Sequence, residues 1–224
     1  MNIVITGAGK GIGFALAKAF LKDNHQVIAI SRNIEKLLEI DDSNLFPLSF
    51  DLKEDDYSGM KEFVKIHLTK VDVLINNAGA LVNKSFLEMT DDDFNLMFDV
   101  NVKAAFKMVR LLVPFLNTGS HIINISSMGG FQGSVKFVGL SLYSAAKGAL
   151  NILTESLALE LTENKISVNA LALGAVQTEM LSAAFPDYEA ALKPDEMASF
   201  IKDFALNGHK VYNGKILPVS LSTP

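Results

Sequence analysis

The chain has 224 residues, 49% of them hydrophobic and 20% charged, with a formal net charge of −5 at pH 7. That length buries a large core in one α/β domain, and an acidic balance without a basic stripe argues against a nucleic-acid surface. Cysteine is absent, which excludes disulfides and thiol catalysis, and His25, His67, His121 and His209 lie too far apart in sequence to suggest a metal site.

Short β-branched runs alternate with longer amphipathic ones from the first residues onward. "NIVIT" (2–6), "QVIAIS" (26–31), "LFPLSF" (45–50), "VDVLIN" (71–76), "SHIINIS" (120–126), "ISVNALAL" (166–173) and "KILPVS" (215–220) read as strands. Between them, 12–23, 55–68, 91–117, 143–163 and 194–206 read as helices. Thr90 before Asp91, Asp92 and Asp93 is a helix start, with a capping hydroxyl and then acids at the positive end of the dipole. The strands are apolar on both faces, so the expected architecture is a Rossmann-like, doubly wound parallel sheet of about seven strands with helices on both sides.

No repeat, low-complexity tract or linker divides the chain, so 1–224 is expected to form a single domain. Its loosest stretch, near 175–195, is rich in small residues, interrupted by Pro186 and Pro194, and placed to act as a flap beside a site. No apolar run approaches a bilayer-spanning length and no signal-like segment opens the chain, so a cytoplasmic protein without membrane attachment is expected.

The first strand runs into "TGAGKGIG" (Thr6 to Gly13) and then a helix. Gly7, Gly9, Gly11 and Gly13 allow a tight turn and close approach to a ligand, and the helix aims its free N–H groups at an anion. Strand, glycine loop and helix in that order is the context of a dinucleotide site. At the end of the second strand an acidic residue would select NAD through the ribose hydroxyls. This chain has Ser31 and Arg32 there, with Lys10 inside the loop. Two cations near a ribose suit a 2′-phosphate, so NADP(H) is the expected cofactor. Asp51, which ends the third strand, is placed toward the adenine.

In "LYSAAKGALN", Tyr143 and Lys147 stand four apart, on one helix face. Taken alone, the pair could be a packing tyrosine with a snorkelling lysine, or a phenol made acidic by an ammonium. The rest of the chain favours the second. It resembles the short-chain dehydrogenase/reductase family over nearly its whole length. "TGAGKGIG" resembles the family's cofactor loop, "NNAG" (76–79) the turn after its fourth strand, "FDVNV" (98–102) the helix holding its active-site Asn, "NISS" (124–127) its catalytic Ser, "YSAAK" its Tyr-x-x-x-Lys pair, and "VNALALGAVQTEM" (168–180) the segment over the nicotinamide. By this resemblance Tyr143 is the general acid/base, Lys147 lowers its pKa and holds the nicotinamide ribose, Ser127 steadies the carbonyl oxygen, and Asn101 holds a water linking Lys147 to solvent. The same resemblance implies cofactor contacts from Gly7, Gly9, Lys10, Gly11, Ile12, Gly13, Ser31, Arg32, Asp51, Leu52, Asn77, Ala78, Gly79, Tyr143, Lys147, Gly174, Val176 and Thr178.

Three features depart from the family pattern. Ser127 lies sixteen positions before Tyr143, which makes 128–142 a longer loop beside the site and leaves Ser126 as the alternative serine. Leu173-Gly174 replaces the usual Pro-Gly, and the end "NGKILPVSLSTP" lacks the usual Asp-Gly-Gly. Met128, Phe131, Phe137, Met180, Phe185 and Tyr188 would gather at the pocket, and no Arg or Lys lies between 175 and 192, so a small to medium, uncharged carbonyl or alcohol is the expected substrate. Lys136 is the residue that could contradict this by reaching a charged group. The rival readings are a reductase of 3-oxoacyl thioesters and a non-catalytic NADP(H) sensor. Helices 91–117 and 143–163 are apolar enough to join a homodimer or homotetramer.

Overall fold

A computed structural model describes residues 1–221. Seven parallel strands form one sheet in the order β3-β2-β1-β4-β5-β6-β7. They are β1 (Asn2–Thr6), β2 (Gln26–Ser31), β3 (Leu45–Ser49), β4 (Val71–Asn76), β5 (Leu116–Ser127), β6 (Ser167–Leu173) and β7 (Ile216–Val219). The helices are α1 (Gly11–Leu21), α2 (Glu35–Leu38), α3 (Ser58–Leu68), α4 (Asp91–Phe98), α5 (Ala104–Leu112), α6 (Ser141–Glu160), α7 (Glu179–Ala184) and α8 (Pro194–Asn207). The two prolines within strands, Pro47 in β3 and Pro218 in β7, fall on the edge strands, where a missing N–H costs least.

Alternation along each strand divides the core in two. Ile3, Ile5, Val27, Ala29, Ile123 and Ile125 face α1 and α8, packing on Leu16, Phe20, Met197 and Ile201. Val4, Ile28, Ile30, Leu74, Ile122 and Val168 face the other way, onto Met60 and Val64 of α3 and Met108 and Leu112 of α5. The strands carry apolar residues on both sides because both faces of the sheet are covered.

The predicted helix at 91–117 is three pieces. Thr90 and Asp93 cap α4 reciprocally, with Thr90 Oγ1 accepting from Asp93 N at 3.2 Å and Asp93 Oδ2 accepting from Thr90 N at 3.0 Å. A π-turn, Asp99–Lys103, then separates α4 from α5. Pro114 lies in a short 3₁₀ turn after α5, and the chain is already in β5 at Leu116. The short helices α2 and α7 escape periodicity because neither reaches two full turns.

At the end of the sheet remote from the glycine loop, a polar knot ties β5, β6, α8 and the segment before β7. His121 is 1% exposed, its Nδ1 donates to Ala205 O at 3.1 Å, and its Nε2 accepts from Asn169 Nδ2 at 2.9 Å. Asn169 is oriented by Lys215 N, which donates to its Oδ1 at 3.0 Å.

Candidate active site

The glycine loop is held shut against β4 by Thr6. Its Oγ1 accepts from the backbone N–H of both Asn77 (3.1 Å) and Ala78 (3.0 Å), and Asn77 Nδ2 donates to Thr6 O and Gly7 O. Gly7 and Gly11 take positive φ, 67° and 55°. A Cβ on Gly13 would collide with Gly7 O, and one on Gly9 would meet Asn33 O and the Ser31 side chain. Glycine at these positions thus leaves bare backbone at the N-terminus of α1, a cradle suited to a phosphate. Ile12 packs beneath it on the core. Contact between Gly9 and Ser31 brings the loop to the end of β2, on which Arg32 follows. Lys10 and Arg32 are both exposed, and neither enters an ion pair among the described residues.

The remaining cofactor candidates are spread around this cradle. Asp51 is half-buried, with Oδ1 accepting from Lys53 N at 3.0 Å in the turn after β3. Leu52 belongs to the core, and its carbonyl accepts from the Tyr57 hydroxyl at 2.7 Å. Gly174 lies against Ser220, leaving no room for a Cβ, and its N–H donates to Val219 O at 2.8 Å. Val176 is buried and pairs with Leu192, while Thr178 caps α7 by accepting from Leu181 N at 3.2 Å. The Thr178 methyl comes within 3.3 Å of a Cβ built on Gly11.

The candidate catalytic side chains arrive from β5, the π-turn and α6. Gly79 neighbours two of them: a Cβ there would stand 3.1 Å from Asn101 Oδ1 and 3.7 Å from Lys147 Nζ, with the Met180 methyl at 3.9 Å. Lys147 is 3% exposed and donates to Ile125 O at 2.7 Å, with Nζ 5.8 Å from the centroid of the Tyr143 ring. The turn 128–130 seats directly on the α6 backbone, where a Cβ on Gly130 would be 2.6 Å from Gly148 N, and Asn151 Nδ2 donates to Gly130 O at 3.0 Å. This contact fixes the height of Ser127 on α6. Ser127 lies close enough to the Tyr143 phenol to pull its pKa down and accepts from Gly129 N at 3.1 Å, whereas Ser126 is buried and donates to Lys147 O at 3.3 Å. Of the two serines, only Ser127 stands beside the phenol.

Two expectations need correction. Burial raises the Tyr143 pKa above its ordinary value, with a smaller opposing pull from Ser127. Desolvation of a phenolate outweighs an ammonium that burial itself pushes down to about 8. Asn101 is 1% exposed and spends both amide hydrogens on Ala80 O and Met97 O, each at 2.9 Å, while Oδ1 accepts from Ala80 N at 3.3 Å. It first holds the loop after β4, and one Oδ1 lone pair remains for a water.

Of the six pocket residues expected, Met180 reaches Gly79 and Met128 is buried after Ser127, but Phe137 and Tyr188 are 50% and 52% exposed. Lys136 spends its ammonium on Phe131 O at 2.7 Å and on Ser134, so it staples its own loop. Sequence reading passed over Thr6, Asn83, Gln177 and Glu179, whose roles depend on contacts between distant loops. Thr6 alone left a signal, as a hydroxyl where the first strand meets the glycines.

Residues 1–189 match the family model described as short chain dehydrogenase. The chain belongs to that family. Among its relatives, an uncharacterised oxidoreductase of Staphylococcus aureus is 29% identical over 209 residues, covering 88% of this chain and 87% of the relative. Carbonyl reductase [NADPH] 2 of Sus scrofa is 31% identical over 201 residues, covering 88% and 80%. Among solved structures, 3-ketoacyl-(acyl-carrier-protein) reductase from Brucella melitensis, complexed with NADH, superimposes with a TM-score of 0.88 at 27% identity, covering 98% of this chain and 96% of that one. A 4-hydroxyisoleucine dehydrogenase complexed with NADH gives 0.84 at 26% identity, covering 98% and 96%. As a short chain dehydrogenase, the protein is an oxidoreductase acting on a CH–OH or C=O group of a small molecule. No helix among the described residues is long and apolar enough to cross a membrane.

Proposed function

We propose that this chain is an NADP(H)-dependent reductase of small to medium, uncharged carbonyl compounds, working as a single domain with residues 175–195 as the substrate flap. The observation that carries the reading is the convergence of Asn101, Lys147 and Met180 on Gly79, with the Tyr143 ring 5.8 Å from Lys147 Nζ and Ser127 close to the phenol. A bound nicotinamide supplies hydride to the substrate carbon or accepts it. Tyr143, kept protonated by burial, donates its phenolic proton to the substrate oxygen. The Ser127 hydroxyl hydrogen-bonds the same oxygen as charge develops on it. Lys147, with a pKa near 8, holds the ribose hydroxyls and returns a proton toward Tyr143. Retention of all three groups favours turnover over cofactor sensing.

The bare backbone at Gly7, Gly9 and Gly13 fits a dinucleotide diphosphate. Cofactor choice rests on Lys10 and Arg32, exposed and without carboxylate partners among the described residues, and on the NADPH named for the pig relative. Fluorescence titration of NADPH and NADH against wild type and Arg32→Ala tests it. Loss of a bidentate charged contact weakens NADPH by about ten- to a hundredfold and leaves NADH nearly unchanged. Equal wild-type affinity for both would refute NADP(H) selection. The anchored Lys136 supports an uncharged substrate. Turnover of acidic compounds or 3-oxoacyl thioesters, with none of neutral ketones and aldehydes, would overturn that part.

The apolar surface on α4, α5 and α6 supports a homodimer or homotetramer. Phe94, Phe106, Ile152 and Leu159 are 47%, 42%, 63% and 80% exposed, and Phe94 stacks on Phe98. Light scattering at micromolar concentration reads the mass, and a monomer would contradict this assembly.

A further inference from the structure

The segment after β6 is fastened at three places. At its foot, Gln177 Oε1 accepts from Ala190 N at 2.7 Å, Gln177 N donates to Leu192 O at 2.8 Å, and Nε2 reaches Ser182 Oγ at 2.9 Å. At the far end of α7, Ala184 O accepts from Asn83 Nδ2 at 2.9 Å, linking the segment to the loop after β4. The third fastening crosses to the other half of the sheet. Glu179, the first residue of α7, places Oε1 3.7 Å from Lys36 Nζ on α2.

The second carboxylate oxygen of Glu179 is the informative one. Oε2 stands 3.5 Å from the Cβ position of Gly11, the first residue of α1. A carboxylate is therefore seated at the first turn of the helix that follows the glycine loop, where the dipole and free N–H groups favour an anion. The neighbouring cleft, about 590 Å³, is bordered by Lys10, Lys18 and Lys36 against only Glu179 and Asp195. The pair is solvated, with the Lys36 and Glu179 side chains 60% and 48% exposed, and contacts of that kind exchange readily.

We propose that Glu179 is an internal competitor of the cofactor's diphosphate. The carboxylate and the diphosphate claim the same helix turn and the same Lys36. Entry of the dinucleotide displaces Glu179, transfers Lys36 to the diphosphate, and releases the start of α7 from α2, while Gln177 and the Asn83–Ala184 hydrogen bond still hold the segment. Glu179 is thus a positioning residue that couples cofactor entry to loss of one of the flap's three fastenings. This inference rests on the reading of Thr6–Gly13 as a dinucleotide loop, but not on which dinucleotide is preferred.

The test is the affinity of NADPH and of NADH for wild type, Glu179→Gln and Lys36→Gln/Glu179→Gln, titrated at low ionic strength and near 1 M salt. Glu179→Gln keeps the shape of an exposed side chain, and unchanged thermal unfolding checks that it folds. The expected result is tighter binding of both dinucleotides by about two- to fivefold, the range set by one exposed ion pair. That gain shrinks in the double variant and vanishes at high salt, where the screening length is about 3 Å. Unchanged or weakened binding in Glu179→Gln overturns the proposal, as does a gain confined to NADPH, which would set the carboxylate against the 2′-phosphate. Failure of wild type to bind either dinucleotide removes the loop reading and the proposal with it. Equal wild-type affinities with the gain intact refute only the NADP(H) preference.

Discussion

Lowering the pH from 7 toward 4 should unfasten the end of the sheet remote from the active site, through His121. Among the described residues its one acceptor is Ala205 O, so Nδ1 carries the proton, and Nε2 faces the N–H of an Asn169 amide whose orientation is set by Lys215. A second proton on Nε2 would point hydrogen at hydrogen inside the core. Burial therefore pushes the His121 pKa from 6.5 down to about 4, with the Ala205 carbonyl opposing and the nearby His209 assisting. The folded state binds this proton less readily than the unfolded state. The stabilisation is complete above about pH 6.5 and is lost as pH falls toward 4. A difference of 2.5 pH units at about 1.4 kcal/mol each corresponds to about 3 kcal/mol from this one ring. Urea unfolding of wild type and His121→Asn at pH 7 and 4.5 isolates it, because the other titrating groups are common to both. Wild type should lose about 2 to 3 kcal/mol more than the variant. Parallel losses in the two proteins would refute the neutral, hydrogen-bonded assignment.

Three further outcomes follow from the site. Tyr143→Phe should lower kcat for carbonyl reduction by about 10²- to 10⁴-fold with dinucleotide affinity unchanged, and retention of activity would reassign the proton donor. Carbonyl reduction should decline as pH rises through about 8, as Lys147 loses its proton, and a rate that stays flat to pH 9.5 would exclude that ammonium from the step. Gly130→Ala would force a methyl against the Lys147–Gly148 backbone. It should cost about 1–3 kcal/mol of stability and reduce activity with it, and an unchanged melting temperature would show that the turn is not seated on α6.

How far the sequence could be read depended on the range of the interaction involved. Strand and helix positions were legible because they follow from periodicity, and β1, β2 and β4 coincide with their predicted runs. Five of the six motif stretches lie at the C-terminal end of a strand or the start of the helix after it, and "FDVNV" lies at the π-turn between α4 and α5. What stayed hidden depended on residues far apart in the chain. Asn83 reaching Ala184, Thr6 binding the Asn77 turn and Glu179 pairing with Lys36 span gaps that no local pattern encodes. The direction of the Tyr143 pKa was misjudged for a related reason. Spacing puts an ammonium near the phenol but says nothing of how far a half-buried phenol and a buried ammonium are withdrawn from water, and that desolvation dominates here.

The π-turn at Asp99–Lys103 constrains how this chain can change length. One residue more than an α-helix needs is stored there, and each residue advances a helix by about 100°. A π-turn is wider than an α-turn, so its residues advance by less than this and the extra one is absorbed. Deleting one of the five would therefore heal the hydrogen-bond ladder and leave Met97 upstream, and Met108 and Leu112 downstream, still facing inward, but it would take away the widened turn from which Asn101 donates to Ala80 O. A deletion inside α5 has no such slack and would turn the residues on either side against each other by about 100°. A deletion scan across 95–140 should show stable but impaired variants at 99–103, unstable ones within α5, and tolerance near exposed Gly133, where a Cβ meets nothing within 4 Å.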